Sequence, residues 1–117
     1  MLHSKKDCIF CKIVDKKIPA QTVYEDESVL AFHDIHPMAP LHILFIPKYH
    51  TENLSELTSI RLMDVNHIFQ AISIIVKQND LTSSGYRVLT NTGKEGGQTV
   101  FHTHFHLLGG KKLGSFS

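Results

Sequence analysis

The chain has 117 residues, enough for one domain with a substantial core but too few for two. Twelve lysines and arginines are nearly balanced by eleven aspartates and glutamates, so the net charge does not select nucleic acid or an anionic membrane as a partner. No apolar stretch approaches the length of a membrane span, and residues 1–7 are too polar and charged for a signal peptide. We therefore expect one cytoplasmic domain over residues 1–117, with no nucleic acid or membrane partner.

The pattern of apolar residues predicts a mixed fold. Alternating or continuous apolar runs predict five strands, at residues 21–25, 28–33, 42–47, 86–91 and 102–108. The spacing of isoleucines predicts one long amphipathic helix over about 59–78. Asp7 is a suitable N-cap for a short helix that ends near Val14. Hairpin-length links favour antiparallel pairing, so the expected class is α+β, an antiparallel sheet of about five strands with one long and one short helix.

Three histidines alternate in the last predicted strand, at positions 102, 104 and 106. Side chains alternate faces along a strand, so these imidazoles would share one face and be close enough to share one phosphate. An imidazole can act as nucleophile, base or acid near neutral pH. The alternatives are a solvated polar face, a metal-binding tract or a purification remnant. A remnant is disfavoured because the histidines are interleaved with apolar residues.

The two cysteines, Cys8 and Cys11, have a spacing that serves redox sites and metal sites alike. A thioredoxin-type site needs a strand before the pair, and none is predicted there. A structural zinc needs about four ligands, for which His50 and His102 are candidates. The alternative is two reduced thiols packed on the short helix.

Two further features suggest a phosphate-containing ligand. The loop at residues 92–99 contains three glycines, whose backbone amides can approach phosphate oxygens, although many such loops are simple turns. Asp34 follows an apolar strand and can accept hydrogen bonds from ribose hydroxyls, although an aspartate there is often a turn cap.

Together these segments resemble the histidine triad family, and within it the small nucleotide-binding phosphoramidases. The resemblance covers nearly the whole chain, through residues 8–13, 18–20, 29–35, 46–50 and 96–108. The last block is the most specific, because it carries the alternating histidines. Thr103 departs from the family pattern, which has an apolar residue there. We expect little catalytic effect, since this side chain faces away from the histidines in a strand.

The resemblance implies roles for the three histidines. His104 would attack the α-phosphorus of a nucleotide and form a covalent nucleotidyl-histidine, His106 would hold a phosphate oxygen, and His102 would orient its neighbours. A free nitrogen on His104 requires an acceptor for its other ring nitrogen, most simply a backbone carbonyl of the same segment.

The resemblance also implies the remaining site residues, the metal and the assembly. The base would lie in an apolar slot of Phe10, Ile13, Ile18 and Phe32, with the ribose on Asp34. The phosphate or leaving group would contact Asn91, Gln98 and Thr99. A structural zinc would be held by Cys8, Cys11, His50 and His102. The chain would form a homodimer with one continuous sheet.

These observations favour a hydrolase that cleaves purine nucleoside phosphoramidates or related nucleotidyl conjugates. Breaking a P–N bond requires a nucleophile and a proton for the departing amine, and a neutral imidazole supplies the nucleophile. One alternative is a dinucleoside polyphosphate hydrolase or nucleotidyl transferase of the same superfamily. Another is a nucleotide-binding scaffold protein with incidental hydrolysis.

Overall fold

The structure, a computed structural model, describes residues 4–115. Within this range it contains four helices and five strands. The helices are α1 (Ile9–Val14), α2 (Leu54–Ile60), α3 (Leu62–Gln78) and α4 (Leu81–Ser84). The strands are β1 (Thr22–Glu25), β2 (Val29–His33), β3 (Leu41–Pro47), β4 (Tyr86–Leu89) and β5 (Phe105–Gly109).

The five strands form one sheet in the order β1-β2-β3-β5-β4, and every neighbouring pair is antiparallel. The predicted α+β class with an antiparallel sheet of about five strands is therefore confirmed. The first and last strands of this order, β1 and β4, are the edges of the sheet. None of the helices within residues 4–115 is long and apolar enough to cross a membrane.

Both faces of the sheet are covered, which explains why β3 is apolar almost throughout. Helix α3 packs Ile68 and Ile75 against one face, where Ala31 and Phe45 lie. Helix α1 packs Phe10 against the opposite face. The alternation of side chains along each strand separates these two cores. The candidate site lies on the α1 face.

The predicted long helix is divided in two near its start. Arg61 adopts φ −138° and ψ 49°, so α2 ends at Ile60 and α3 begins at Leu62. The Arg61 guanidinium bonds Asp64 in the first turn of α3 at 2.9 Å. The prediction of one helix over 59–78 was therefore wrong at its N-terminal end, because the apolar spacing alone does not register a local backbone break.

Helix α2 was not predicted, although the sequence carries its start signal. The Asn53 side chain accepts a hydrogen bond from the Glu56 amide at 3.1 Å, and the Glu56 carboxylate accepts one from the Glu52 amide at 2.8 Å. An asparagine followed three residues later by a glutamate is a recognised helix start. The short helix α4 was also missed.

The N-cap of α1 is Cys8 rather than Asp7. The Cys8 thiol accepts a hydrogen bond from the Cys11 amide at 3.3 Å, which takes the capping role assigned to the aspartate. The shift of one residue matters because it places the first cysteine at the helix entrance.

The histidine segment is only partly a strand. β5 begins at Phe105, because the Thr103 amide bonds the Thr51 carbonyl at 2.8 Å instead of joining the sheet. β4 ends at Leu89 instead of 91, where the Thr90 hydroxyl donates to the His104 carbonyl at 2.7 Å. The strands predicted at 86–91 and 102–108 were therefore too long at the ends that face the site.

Candidate functional site

A cavity of about 550 Å³ opens on the α1 face of the sheet. Its walls include eight of the predicted site residues: Phe10, Ile13, Ile18, Phe32, Asp34, Thr99, His104 and His106. The apolar members come from α1, the segment after it and β2, while both histidines come from the β5 segment. The fold thus brings an apolar slot, a carboxylate and two imidazoles into one cavity.

His104 presents an unprotonated ring nitrogen. Its Nδ1 donates a hydrogen bond to the His102 carbonyl at 2.8 Å, so its Nε2 carries a lone pair. The predicted backbone anchor for this ring is therefore present. Phe10 packs edge-on against the same ring, with centroids 5.2 Å apart and an interplanar angle of 89°. These two contacts fix both the tautomer and the orientation of the imidazole.

His106 presents the opposite polarity through a chain of hydrogen bonds. The Met38 amide donates to His42 Nδ1 at 3.0 Å, so the proton of this ring lies on Nε2. His42 Nε2 lies 2.9 Å from His106 Nδ1 and donates to it. His106 therefore carries its own proton on Nε2. The cavity wall thus holds a lone pair on His104 and a donor on His106, with ring centroids 5.1 Å apart.

The same proton placement argues against a metal at this end of the cavity. Donor atoms of Asp34, His42 and His106 lie within 4.8 Å of one another. His42 Nε2 nevertheless holds a proton, and it lies 3.5 Å from the Asp34 carboxylate. A metal ion there would require moving this proton to Nδ1, against the Met38 amide. The group is better described as an extension of the histidine chain.

Burial keeps these imidazoles neutral. It lowers the pKa of His106 to about 4, with further lowering from the charged forms of His104 and His42. Burial also lowers the pKa of His104, opposed by its bond to the His102 carbonyl and by the charge of Asp34. The pKa of His42 is lowered for the same main reason. The lone pair of His104 is therefore available below the ordinary pKa of histidine.

His102 lies outside the cavity walls and faces the cysteines. Its Nε2 donates to the Pro47 carbonyl at 2.8 Å, so its Nδ1 carries a lone pair. That nitrogen lies 3.2 Å from the Cys8 sulfur and 3.5 Å from the Cys11 sulfur. The three histidines therefore do not converge on one phosphate, because His102 precedes the start of β5 and lies outside the sheet.

Cys8, Cys11, His50 and His102 form a cluster that can hold a metal ion. Their ligand atoms all lie within 4.8 Å of one another. His50 Nδ1 lies 3.2 Å from the Cys11 sulfur and 3.1 Å from His102 Nδ1. Ligands around a tetrahedral zinc lie roughly 3.3 to 3.8 Å apart, given bonds of about 2.0 to 2.3 Å. The set of donors and their spacing fit such an ion with small adjustments.

The protonation of this cluster also bears on metal binding. Burial raises the pKa of the Cys8 thiol to about 11 when no cation is present. A bound metal requires the thiolate and lowers that pKa strongly. The Pro47 carbonyl holds His102 in the tautomer that a ligand needs, as in many metal sites.

Asn91 and Gln98 organise the glycine-rich loop and do not line the cavity. The Asn91 amide donates to the Gly96 carbonyl at 2.8 Å. The Gln98 oxygen accepts from the Gly93 amide at 2.9 Å, and its nitrogen donates to the Glu52 carbonyl at 2.6 Å. Of the three residues expected to contact the phosphate or leaving group, only Thr99 lies in the wall.

Sequence reasoning missed the contribution of His42. His42 is the second residue of β3, and a buried polar residue in an otherwise apolar strand was the available signal. Pairing of Leu44 with His106 places His42 diagonally across from that ring. The Met38 amide had no signal, because a backbone group is invisible in the side-chain pattern.

Comparison with known proteins points to the same family that the sequence resembles. The model of the HIT domain matches residues 15–113. The chain is 38% identical to the purine nucleoside phosphoramidase of Escherichia coli strain K12 over 109 residues, covering 93% of this chain and 92% of that one.

Two solved structures share the fold closely. A histidine triad protein from Clostridium difficile has a TM-score of 0.93 and 45% identity, covering 97% of this chain and 99% of that one. A HIT family hydrolase from Clostridium thermocellum has a TM-score of 0.91 and 41% identity, covering 96% and 97%.

Proposed function

Because the chain belongs to the HIT domain family, we propose that it is a hydrolase that cleaves purine nucleoside phosphoramidates through a covalent nucleotidyl-histidine. The observation that carries this proposal is the pair of opposite polarities on the cavity wall. The lone pair of His104 can attack phosphorus, and the Nε2 proton of His106 can bind a phosphate oxygen. The relative from Escherichia coli, which is named a purine nucleoside phosphoramidase, supports the same substrate class.

The reaction follows in two balanced steps. His104 Nε2 forms a bond to phosphorus, the P–N bond of the substrate breaks, and the amine takes up a proton from solvent as it leaves. Water then attacks the same phosphorus, the bond to His104 breaks, and the nucleoside monophosphate is released with loss of a proton. Burial of the histidines serves both steps, because His104 is regenerated as a neutral ring.

The apolar end of the cavity supports binding of the nucleoside. Phe10 and Phe32 meet edge to face with centroids 5.6 Å apart, and Ile13 and Ile18 complete the slot. A purine ring can stack and pack there. Asp34 lines the same cavity directly after β2, 3.5 Å from His42 Nε2, and can accept hydrogen bonds from ribose hydroxyls. One of its oxygens already caps the following turn by accepting from the His36 amide at 2.7 Å.

The test compares His104→Ala with wild type on adenosine phosphoramidate, with diadenosine tetraphosphate as the competing substrate. The phosphoramidate should be preferred, and the variant should lose about three or more powers of ten in turnover, or about 4 kcal/mol of barrier. Its affinity for AMP should stay within about tenfold, since the base and ribose contacts remain. His67→Ala is the matched control, because His67 bonds Asp64 on α3, across the sheet from the cavity.

Two results would contradict this assignment. Full activity in His104→Ala would remove the covalent step. Faster turnover of the dinucleotide by the wild-type protein would favour the alternative within the superfamily. Trapping the nucleotidylated His104 by rapid acid-free quenching and mass spectrometry gives a direct view of the intermediate.

We further propose that the cluster of Cys8, Cys11, His50 and His102 holds a structural zinc. Its donor set suits zinc, whose role there would be to tie α1 to the loop after β3 and to the segment before β5. None of these four residues lines the cavity that contains His104, so the cluster supplies no group to the phosphorus.

We also propose a homodimer joined at the β4 edge. Phe69 and Tyr86 are about half exposed beside a shallow cavity that Ile72 and Val88 also line. Within residues 4–115, β4 has a strand neighbour on one side only, and an edge strand beside exposed aromatic side chains favours pairing with a second copy. Light scattering at micromolar concentration should give twice the 13.2 kDa chain mass, and a monomer with full activity would refute the proposal.

A further inference from the structure

We propose that a second cavity beside His104 is a subsite for the leaving group and that it selects amines carrying an additional positive charge. This inference rests on the proposed phosphoramidase function. The cavity has a volume of about 400 Å³, and the residues that line it include the acidic Asp7 and Glu52. The first cavity accommodates the nucleotide, so this adjoining space is open to the other half of the substrate.

The two cavities share part of their walls. Ile9, Thr99 and Val100 line both. The shared wall belongs to the same cavity as the nucleophile, because these three residues line the first cavity together with His104. A group attached to phosphorus at His104 can therefore pass this wall and enter the second cavity.

In-line displacement sends the leaving group and the nucleoside in different directions from phosphorus, because the departing amine lies opposite His104 and the nucleoside is attached through an equatorial oxygen. The attacking nitrogen and the departing nitrogen lie roughly in line across phosphorus. The base and ribose occupy the end of the first cavity formed by Ile13, Ile18 and Phe32. Thr99 lies at the junction between the cavities.

The walls of the second cavity suit an amine with an alkyl stem and a cationic end. Ile9 and Phe101 are about half exposed and offer apolar surface to the stem. Asp7 and Glu52 offer two negative charges against the single positive charge of Lys5. A divalent metal with two thiolates and two neutral imidazoles forms a site of zero net charge. A metal in the neighbouring cluster therefore does not change the net negative charge of the cavity wall.

The size of the effect follows from the exposure of these groups. Both carboxylates are exposed, so water and salt screen them. Attraction between exposed unit charges corresponds to roughly two- to fivefold for each pair. A cationic leaving group should gain by about this factor, and an anionic one should lose by a similar factor. The same charges disfavour a polyphosphate leaving group, which bears several negative charges.

The test uses adenosine phosphoramidates of three amines with stems of similar length: propylamine, diaminopropane and β-alanine. In wild type, kcat/KM should be highest for diaminopropane and lowest for β-alanine, with about tenfold between them at low salt. In the double variant Asp7→Asn/Glu52→Gln the spread should fall to about twofold, while propylamine turnover stays unchanged. The matched control Glu27→Gln/Asp80→Asn removes the same charge from exposed positions outside both cavities.

Equal kcat/KM for the three amines in wild type would overturn the subsite, and so would an equal change in the control variant. If none of the three is hydrolysed, the proposed function itself is wrong. The subsite is then tested by binding alone, with the aminopropyl and propyl esters of AMP measured by calorimetry. The aminopropyl ester should bind about threefold more tightly to wild type and equally to the double variant. Equal affinity in wild type would reject the subsite regardless of turnover.

Discussion

Two buried threonines next to the nucleophile allow a sharp test of the hydrogen-bond arrangement. Thr51 and Thr103 are 0% and 1% exposed, and their hydroxyl oxygens lie 2.7 Å apart. The Thr103 hydroxyl donates to the Thr51 carbonyl at 3.1 Å. A hydroxyl has one proton to donate, so Thr51 must be the donor in the bond between the two hydroxyls. The pair therefore has a defined donor and acceptor, so Thr51→Val and Thr103→Val should lower the free energy of unfolding by different amounts.

The magnitudes follow from what each substitution leaves behind. Thr51→Val removes one hydrogen bond and leaves the Thr103 hydroxyl with its carbonyl acceptor, which should cost about 1 kcal/mol. Thr103→Val removes two bonds, the one to the Thr51 carbonyl and the one from the Thr51 hydroxyl, and leaves that hydroxyl buried without an acceptor, which should cost about 2 to 3 kcal/mol. The double variant replaces both partners with groups of the same shape and should cost about 1 kcal/mol or less. The two changes should therefore be non-additive by about 2 kcal/mol.

The assay is urea denaturation of the four proteins at one fixed concentration, because stability depends on concentration if the chain dimerises. Thr58→Val is the control, since Thr58 is exposed on α2 and its hydroxyl bonds only the nearby Ser55 carbonyl. It should change the free energy of unfolding by about 0.5 kcal/mol or less. A larger cost for Thr51→Val than for Thr103→Val, or additive costs, would refute the directional arrangement.

Three further outcomes are expected. Activity requires neutral His104, so kcat/KM should fall only when the pH drops through the lowered pKa of this ring. The plateau of the pH–rate profile should therefore extend below about pH 6.5, the ordinary pKa of histidine. An acid limb at or above that pH would contradict the burial of this ring. Cys11→Ser should reduce bound metal and lower the melting temperature, measured by elemental analysis and calorimetry; equal stability without metal would leave two packed thiols. Asp34→Ala should raise the Kd for AMP about tenfold or more and change the chemical step less, and unchanged affinity would remove Asp34 from the site.

The sequence predicted the parts of this protein in which the side-chain period decides the structure. The apolar alternation located all five strands, and the sheet class followed from their short links. Eight of the residues that the resemblance assigns to the site line one cavity, in part because Phe10, Phe32 and Asp34 lie on or directly after regular elements, and their roles stay predictions. The location in the cell and the two-chain assembly stay predictions.

The errors concern local backbone interactions that periodicity does not register. A continuous helix over 59–78 fits the apolar spacing, but the single non-helical residue Arg61 breaks it. The histidine alternation suggested one strand, whereas the Thr103 amide bonds Thr51 and turns His102 toward the cysteines. In both places one or two hydrogen bonds outweigh the intrinsic preference of the segment.

The Met38 amide has a consequence for how variation in this protein should be interpreted. The Met38 side chain is 74% exposed, so many side chains can replace it, yet its N–H sets the proton positions on two histidines. A change there keeps these proton positions as long as the residue keeps an amide hydrogen, however different its side chain. Proline alone among the common residues lacks that hydrogen. For the proton positions, the constraint at this position is therefore an amide hydrogen and not a particular side chain.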